Sequence, residues 1–150
     1  MMNTNVLQTM QSICCYSYRQ NTWKVLLMEM IYMNDEYERL TNDAKYLLLQ
    51  LSSKYLESVT DGKSKSDATT MGSTQQVRDD VMPQWSLPDV SFTMAELRDA
   101  GFMKLWPGDG CYYNSFITTQ AIAWREQKFG NDVKKVLDAI TGVKKLIPFF

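Results

Sequence analysis

Residues 26–51, LLMEMIYMNDEYERLTNDAKYLLLQL, contain no proline and no glycine and place an apolar residue at nearly every third or fourth step. Trp23, Leu26, Met30, Met33, Tyr37, Leu40, Ala44, Leu47 and Leu51 are separated alternately by three and four residues. That unbroken a/d heptad predicts one long helix packed by knobs into holes. From Leu26 to Leu51 it would span roughly 38 Å at 1.5 Å per residue. Leu27, Ile31, Tyr46 and Leu48 widen the stripe beyond a two-helix seam, so more than one neighbour is expected. The helix is placed at 21–59, capped by Asn21 or Thr22 and stopped by Thr60-Asp61-Gly62.

A second stretch matches it in length. Across residues 112–147, Ile122, Glu126, Phe129, Val133, Val136, Ile140, Val143 and Ile147 alternate at four and three residues, and only Glu126 interrupts the apolar seam. The predicted fold class is therefore all-α: two long helices forming an antiparallel coiled-coil hairpin, with a small irregular, short-helix cap between them. Residues 60–76 are almost free of apolar side chains and read as a flexible linker. Residues 77–111 form the expected cap. There VRDDVM is a short helix stopped by Pro83, Thr93-Met94-Ala95-Glu96 a capping box for a two-turn helix ending at Gly101, and Pro107-Gly108-Asp109-Gly110 a turn. Residues 148–150 are a tail. Such a slender hairpin leaves apolar stripes in water and so predicts self-association or a partner.

Composition narrows the function. A chain of 150 residues with 45% hydrophobic content and a net charge of −1 is one domain's worth, with no overall field for nucleic acid. Residues 61–110 carry eight acids against five bases and residues 111–150 six bases against three acids, which reads as solvated helix faces. No apolar run is long enough for a membrane span. Residues 1–20 lack the positive and apolar regions of a Sec-type signal and form a polar N-terminal segment. Cys14, Cys15 and Cys111 are too few for a disulfide scaffold and read as reduced thiols.

The chemistry of sites is sparse. There is no histidine, so the commonest general base and the commonest metal ligand are both missing, and the cysteines are not at metal spacing. Gly62-Lys63-Ser64 imitates the end of a phosphate-binding loop, but Glu57 occupies the required upstream glycine position. Trp85, Trp106 and Trp124 lack the interleaved basic residues of a stacking platform and read as core. The expectation is a protein without catalytic, metal or cofactor residues.

QKFGNDVKKVLDAITGV, residues 127–143, resembles the C-terminal coiled-coil helix of the EspA/SseB proteins of type III secretion systems. LLMEMIYMNDEYERLTNDA, residues 26–44, is similar to that family's first long helix, and VSFTMAELRDAGF falls where the family has a short capped segment. The resemblance implies a secreted, self-assembling subunit of an extracellular filament or needle tip, a conduit for effectors and translocators. Its partners would be copies of itself, the needle subunit, translocators and a cytosolic chaperone before export, with residues 1–20 as export signal. The self-assembly seam would comprise Trp23, Leu26, Met30, Met33, Tyr37, Leu40, Leu47, Leu51, Ile122, Phe129, Val133, Val136, Ile140 and Val143. The alternative is a helical binding module, a secretion chaperone or a phage- or plasmid-encoded inhibitor, acting on one protein partner in the cytoplasm.

Overall fold

The computed structural model describes residues 24–28, 31 and 35–148. It divides into two units, Met1–Asp35 and Glu36–Phe150. In the first, residues 24–28 and 31 are helical, and Val25, Leu26, Leu27, Met28 and Ile31 are exposed. Trp23, Met30 and Met33 of the expected seam, Cys14, Cys15, the polar segment 1–20 and residues 149 and 150 lie outside the described residues.

The second unit contains helices α1 (Asn42–Thr60), α2 (Lys65–Ala68), α3 (Thr74–Val81), α4 (Leu87–Asp99), α5 (Thr119–Phe129) and α6 (Val133–Lys144), with strands β1 (Met103–Pro107) and β2 (Tyr112–Ile117) between α4 and α5. This corrects the two-helix hairpin. The longest of these helices has 19 residues, and β2, paired antiparallel with β1, occupies the start of the expected second helix.

The first expected helix breaks at Leu40-Thr41. Thr41 is extended (φ −61°, ψ 160°), and its hydroxyl accepts from the Ala44 amide at 3.2 Å as the N-cap of α1. Glu96 of α4 completes the break from across the core. Its carboxylate accepts the Thr41 amide at 2.7 Å and the Thr41 hydroxyl at 2.8 Å. Glu96 is therefore not the third residue of its own capping box. α4 starts earlier, at the N-cap Ser86, and Thr93 lies inside it, donating its hydroxyl to the Asp89 carbonyl at 2.9 Å. At its far end α1 stops where the sequence predicts, with Gly62 and Lys63 amides returned to the Val59 and Ser58 carbonyls.

α1 is buried around most of its circumference, with Asp43, Gln50, Lys54 and Glu57 along its polar edge. Leu47, Leu48, Leu49 and Leu51 are all fully buried, with Ala44, Tyr46, Tyr55 and Leu56 close behind. A helix buried around most of its circumference needs neighbours on most sides, and α1 packs against each of the other five helices. Val136 and Ile140 of α6 are buried in the same core, as are Val90, Met94 and Leu97 of α4.

Residues 60–76, expected as a flexible linker, are tied into the sheet. The Met71 amide donates to the Ser115 carbonyl at 2.8 Å and the Ile117 amide to the Thr69 carbonyl at 3.0 Å, so this segment flanks β2 as a third, very short strand. Ala68, Met71 and Thr74 are buried, and Ser73 with Gln76 forms a reciprocal capping box that starts α3. The expected cap 77–111 likewise joins the core, because Val77, Met82, Phe102 and Met103 are buried in it.

The second expected helix, 112–147, breaks twice. Tyr112–Ile117 pairs antiparallel with Met103–Pro107 across the Pro-Gly-Asp-Gly turn, and a bulge falls at Trp106/Pro107. Gly130-Asn131-Asp132 then separates α5 from α6. Asp132 caps α6, and the buried Arg125 donates to the Gly130 carbonyl at 2.7 Å and the Asn131 side chain at 3.3 Å. Gly130 itself sits at φ 60°, ψ −139°, a region closed to residues with a Cβ.

Two outcomes test these breaks. Gly130→Ala should destabilise the chain by roughly 1–3 kcal/mol in denaturant unfolding, since a Cβ there meets no neighbour and the cost is backbone strain. In a continuous helix the same change would stabilise by about 1 kcal/mol, so the sign decides between the two architectures. Thr41→Ala and Glu96→Ala should each cost about 1–2 kcal/mol and be coupled in a double-mutant cycle. Additive effects would mean that Glu96 does not cap α1.

Candidate interaction surface

The predicted seam residues are divided by this fold. Tyr37, Leu40, Leu47, Leu51, Val136 and Ile140 are buried in the chain's own core, whereas Ile122, Phe129 and Val143 are half-buried at its edge. Val133 is 38% exposed and Leu26 47% exposed. Tyr37 stacks on Trp124 with ring centroids 4.4 Å apart, and Lys128 lies 4.2 Å above the Tyr37 ring, so that part of the seam is an internal aromatic contact. Burial, with the like charge of Glu38, pushes the Tyr37 phenol up to about 12. The structure buries six of the eleven described seam residues inside the molecule.

Besides Val25, Leu26, Leu27, Met28, Ile31, Val133, Leu137 and Leu146 of the expected helices, the described residues present Phe92, Trp106 and Tyr113 outward. α3, the turn Met82–Ser86 and α4 form a helix-turn-helix, and β1 and β2 follow it as a hairpin, with Thr69–Met71 pairing on β2. The sequence supplies the local reasons. Met82 ends α3 before Pro83, Ser86 caps α4 with Pro88 in its first turn, and Gly101 (φ 83°) closes α4 while the Phe102 amide returns to the Leu97 carbonyl.

The outer face of α4 is aromatic and acidic. Phe92 is 75% exposed, the largest such value among the exposed apolar side chains. It borders a groove of about 420 Å³ with Trp85, Asp43, Asp89, Ile147 and Pro148. Burial first, then the neighbouring Glu96 and Asp89 carboxylates, hold the Asp43 carboxyl above its ordinary value. No ion pair joins Asp43, Asp89 or Glu96 among the described residues. The one base on α4, Arg98, is paired with Asp99 at 2.9 Å. From residue 74 to residue 118 the chain carries six acids and three bases. A helix-turn-helix that reads DNA places donors and positive charge on this helix, and here the sign is reversed.

The hairpin's outer face bears Trp106 and Tyr113, both more than half or about half exposed, with Trp106 in edge contact with Phe116 at 5.2 Å. Below it opens a larger cavity of about 650 Å³, walled by Tyr55, Phe116 and Ile122 and carrying Lys65, Lys104 and Glu126. Among the described residues no cluster of His, Cys, Asp or Glu could hold a metal ion, and no helix is long and apolar enough to cross a membrane. Cys111 is a free thiol in the hairpin turn. No family model, curated protein or solved structure matches this chain.

The raised Asp43 carboxyl sets a pH dependence. The folded chain keeps the Asp43 proton to higher pH than the unfolded chain does, so this group favours folding at low pH and loses that contribution as pH rises through the carboxylate range. Relative to Asp43→Asn, the parent should therefore lose stability from acidic to neutral pH. Parallel pH profiles of the two midpoints would contradict the like-charge crowding in the groove.

Proposed function

We propose that the chain is a binding module for one protein partner, and that it engages a basic, partly apolar segment of that partner through the groove beside α4. The carrying observation is the combination on one face of a 75% exposed phenylalanine with carboxylates that have no counter-ion among the described residues. An exposed aromatic anchor beside a groove is the kind of residue that dominates binding energy at interfaces. Uncompensated acids favour a cationic partner and disfavour the phosphates of nucleic acid. Rigid support comes from the core: Val90, Met94 and Leu97 hold the inner face of α4, and Thr41 fixes Glu96.

The filament reading suggested by the resemblance drew its support from two free coiled-coil seams. Tyr37, Leu40, Leu47, Leu51, Val136 and Ile140 of those seams are buried in the chain's own core, so they no longer argue for polymerisation. The binding-module reading needs no such stripe.

Two measurements test the proposal together. Duplex DNA of mixed sequence should give no saturable anisotropy change even at about 50 mM salt, where phosphate contacts are strongest. A protein from the source cell that is cross-linked near Phe92 should bind the parent and lose at least about 2 kcal/mol, roughly thirtyfold in Kd, with Phe92→Ala. The exposed position of Phe92 leaves folding unchanged. Saturable, salt-sensitive DNA binding, or a partner indifferent to Phe92→Ala, would overturn the reading.

A further inference from the structure

We propose a second, independent site: the cavity of about 650 Å³ between α2, the hairpin and α5 binds a small organic anion that combines a phosphate or carboxylate with an apolar ring. Its volume lies within the usual range of about 300–1,000 Å³ for small-molecule pockets. Its wall divides into two chemistries. Tyr55, Phe116 and Ile122 supply an apolar side, and Lys65 and Lys104 stand at the polar side with the hydroxyl-bearing Thr119.

The charge balance of the wall decides the ligand's sign. Among the described residues neither lysine has an ion pair. The single acid lining the cavity, Glu126, is held by the guanidinium of the buried Arg125 at 3.3 Å. Two ammonium groups are thus without carboxylate partners beside a wall whose own negative charge is already matched. Thr118 and Thr119 at the start of α5 also line the cavity, and a helix start adds partial positive charge there. An anion compensates these groups. The apolar side gives a ring something to lie against, which a bare ion cannot use.

The arrangement differs in every respect from the groove beside α4. That groove is acidic and lies on the helix-turn-helix, whereas this cavity is basic and lies behind the hairpin. The two sites share no lining residue on one small unit, so substitutions in one can be read apart from the other.

Titration of the whole chain with phenyl phosphate, followed by amide chemical shifts, tests the proposal. Saturable shifts are expected around Thr69, Phe116 and Thr119. Benzyl alcohol, which keeps the ring without the charge, and inorganic phosphate, which keeps the charge without the ring, should each bind at least about tenfold more weakly. The double variant Lys65→Gln/Lys104→Gln, altered at two exposed positions, should lose at least the same factor while its other amide shifts stay as in the parent. Absent or non-saturating shifts would overturn the site. So would equal binding of benzyl alcohol or inorganic phosphate, full retention by the double variant, or tighter binding of a single-stranded oligonucleotide through the same residues.

Discussion

The burial of α1 around most of its circumference is the constraint from which the rest of the unit follows. Leu47, Leu48, Leu49 and Leu51 are consecutive enough that no single face can accommodate them, and all four are fully buried. Each is worth about 1.5–3 kcal/mol relative to exposure, against a whole-domain stability of about 5–15 kcal/mol. The chain satisfies them only by wrapping its later elements around this helix. Short helices and tight turns do that; two long straight helices would leave half of the leucines in water.

Wrapping requires breaks at defined places, and polar side chains make them. Glu96 reaches from α4 to take both the amide and the hydroxyl of Thr41, which ends one helical run and starts another. Arg125, almost fully buried, holds the turn at Gly130-Asn131 in the same way. On the other side of the core, Thr74 and Tyr112 exchange hydrogen bonds while the Ser115 hydroxyl donates to the Gly72 carbonyl, fixing the hairpin to the start of α3. These contacts link residues from 5 to 55 positions apart, so they set the angles at which the exposed surfaces are offered.

Those surfaces have opposite electrical character although the chain as a whole is close to neutral. Asp89 of α4 lines the groove together with Asp43 from α1, and Lys65 joins Lys104 at the cavity behind the hairpin. A net charge of −1 conceals both. Local fields of this kind govern which partner approaches which face.

The sequence by itself determined the local events. The stop at Thr60-Asp61-Gly62, the short helix ended before Pro83, the closure of α4 at Gly101 and the turn at 107–110 were all legible, because capping and turn chemistry act over a few neighbouring residues. Gly130-Asn131-Asp132 also carried a stop and a cap in plain view, but the heptad count ran through it, and the run of aromatic and β-branched residues in YYNSFI was absorbed into the same helix. A spacing of three and four fits a coiled-coil seam and one face of several short helices equally well, so periodicity could not distinguish them. Only the tertiary structure decided that Glu96 caps α1 from 55 residues away, that Thr69–Met71 pairs with β2, and that Phe92 is left outside beside Asp43. Each of those is a contact between segments distant along the chain, and no local propensity encodes which distant segment will arrive.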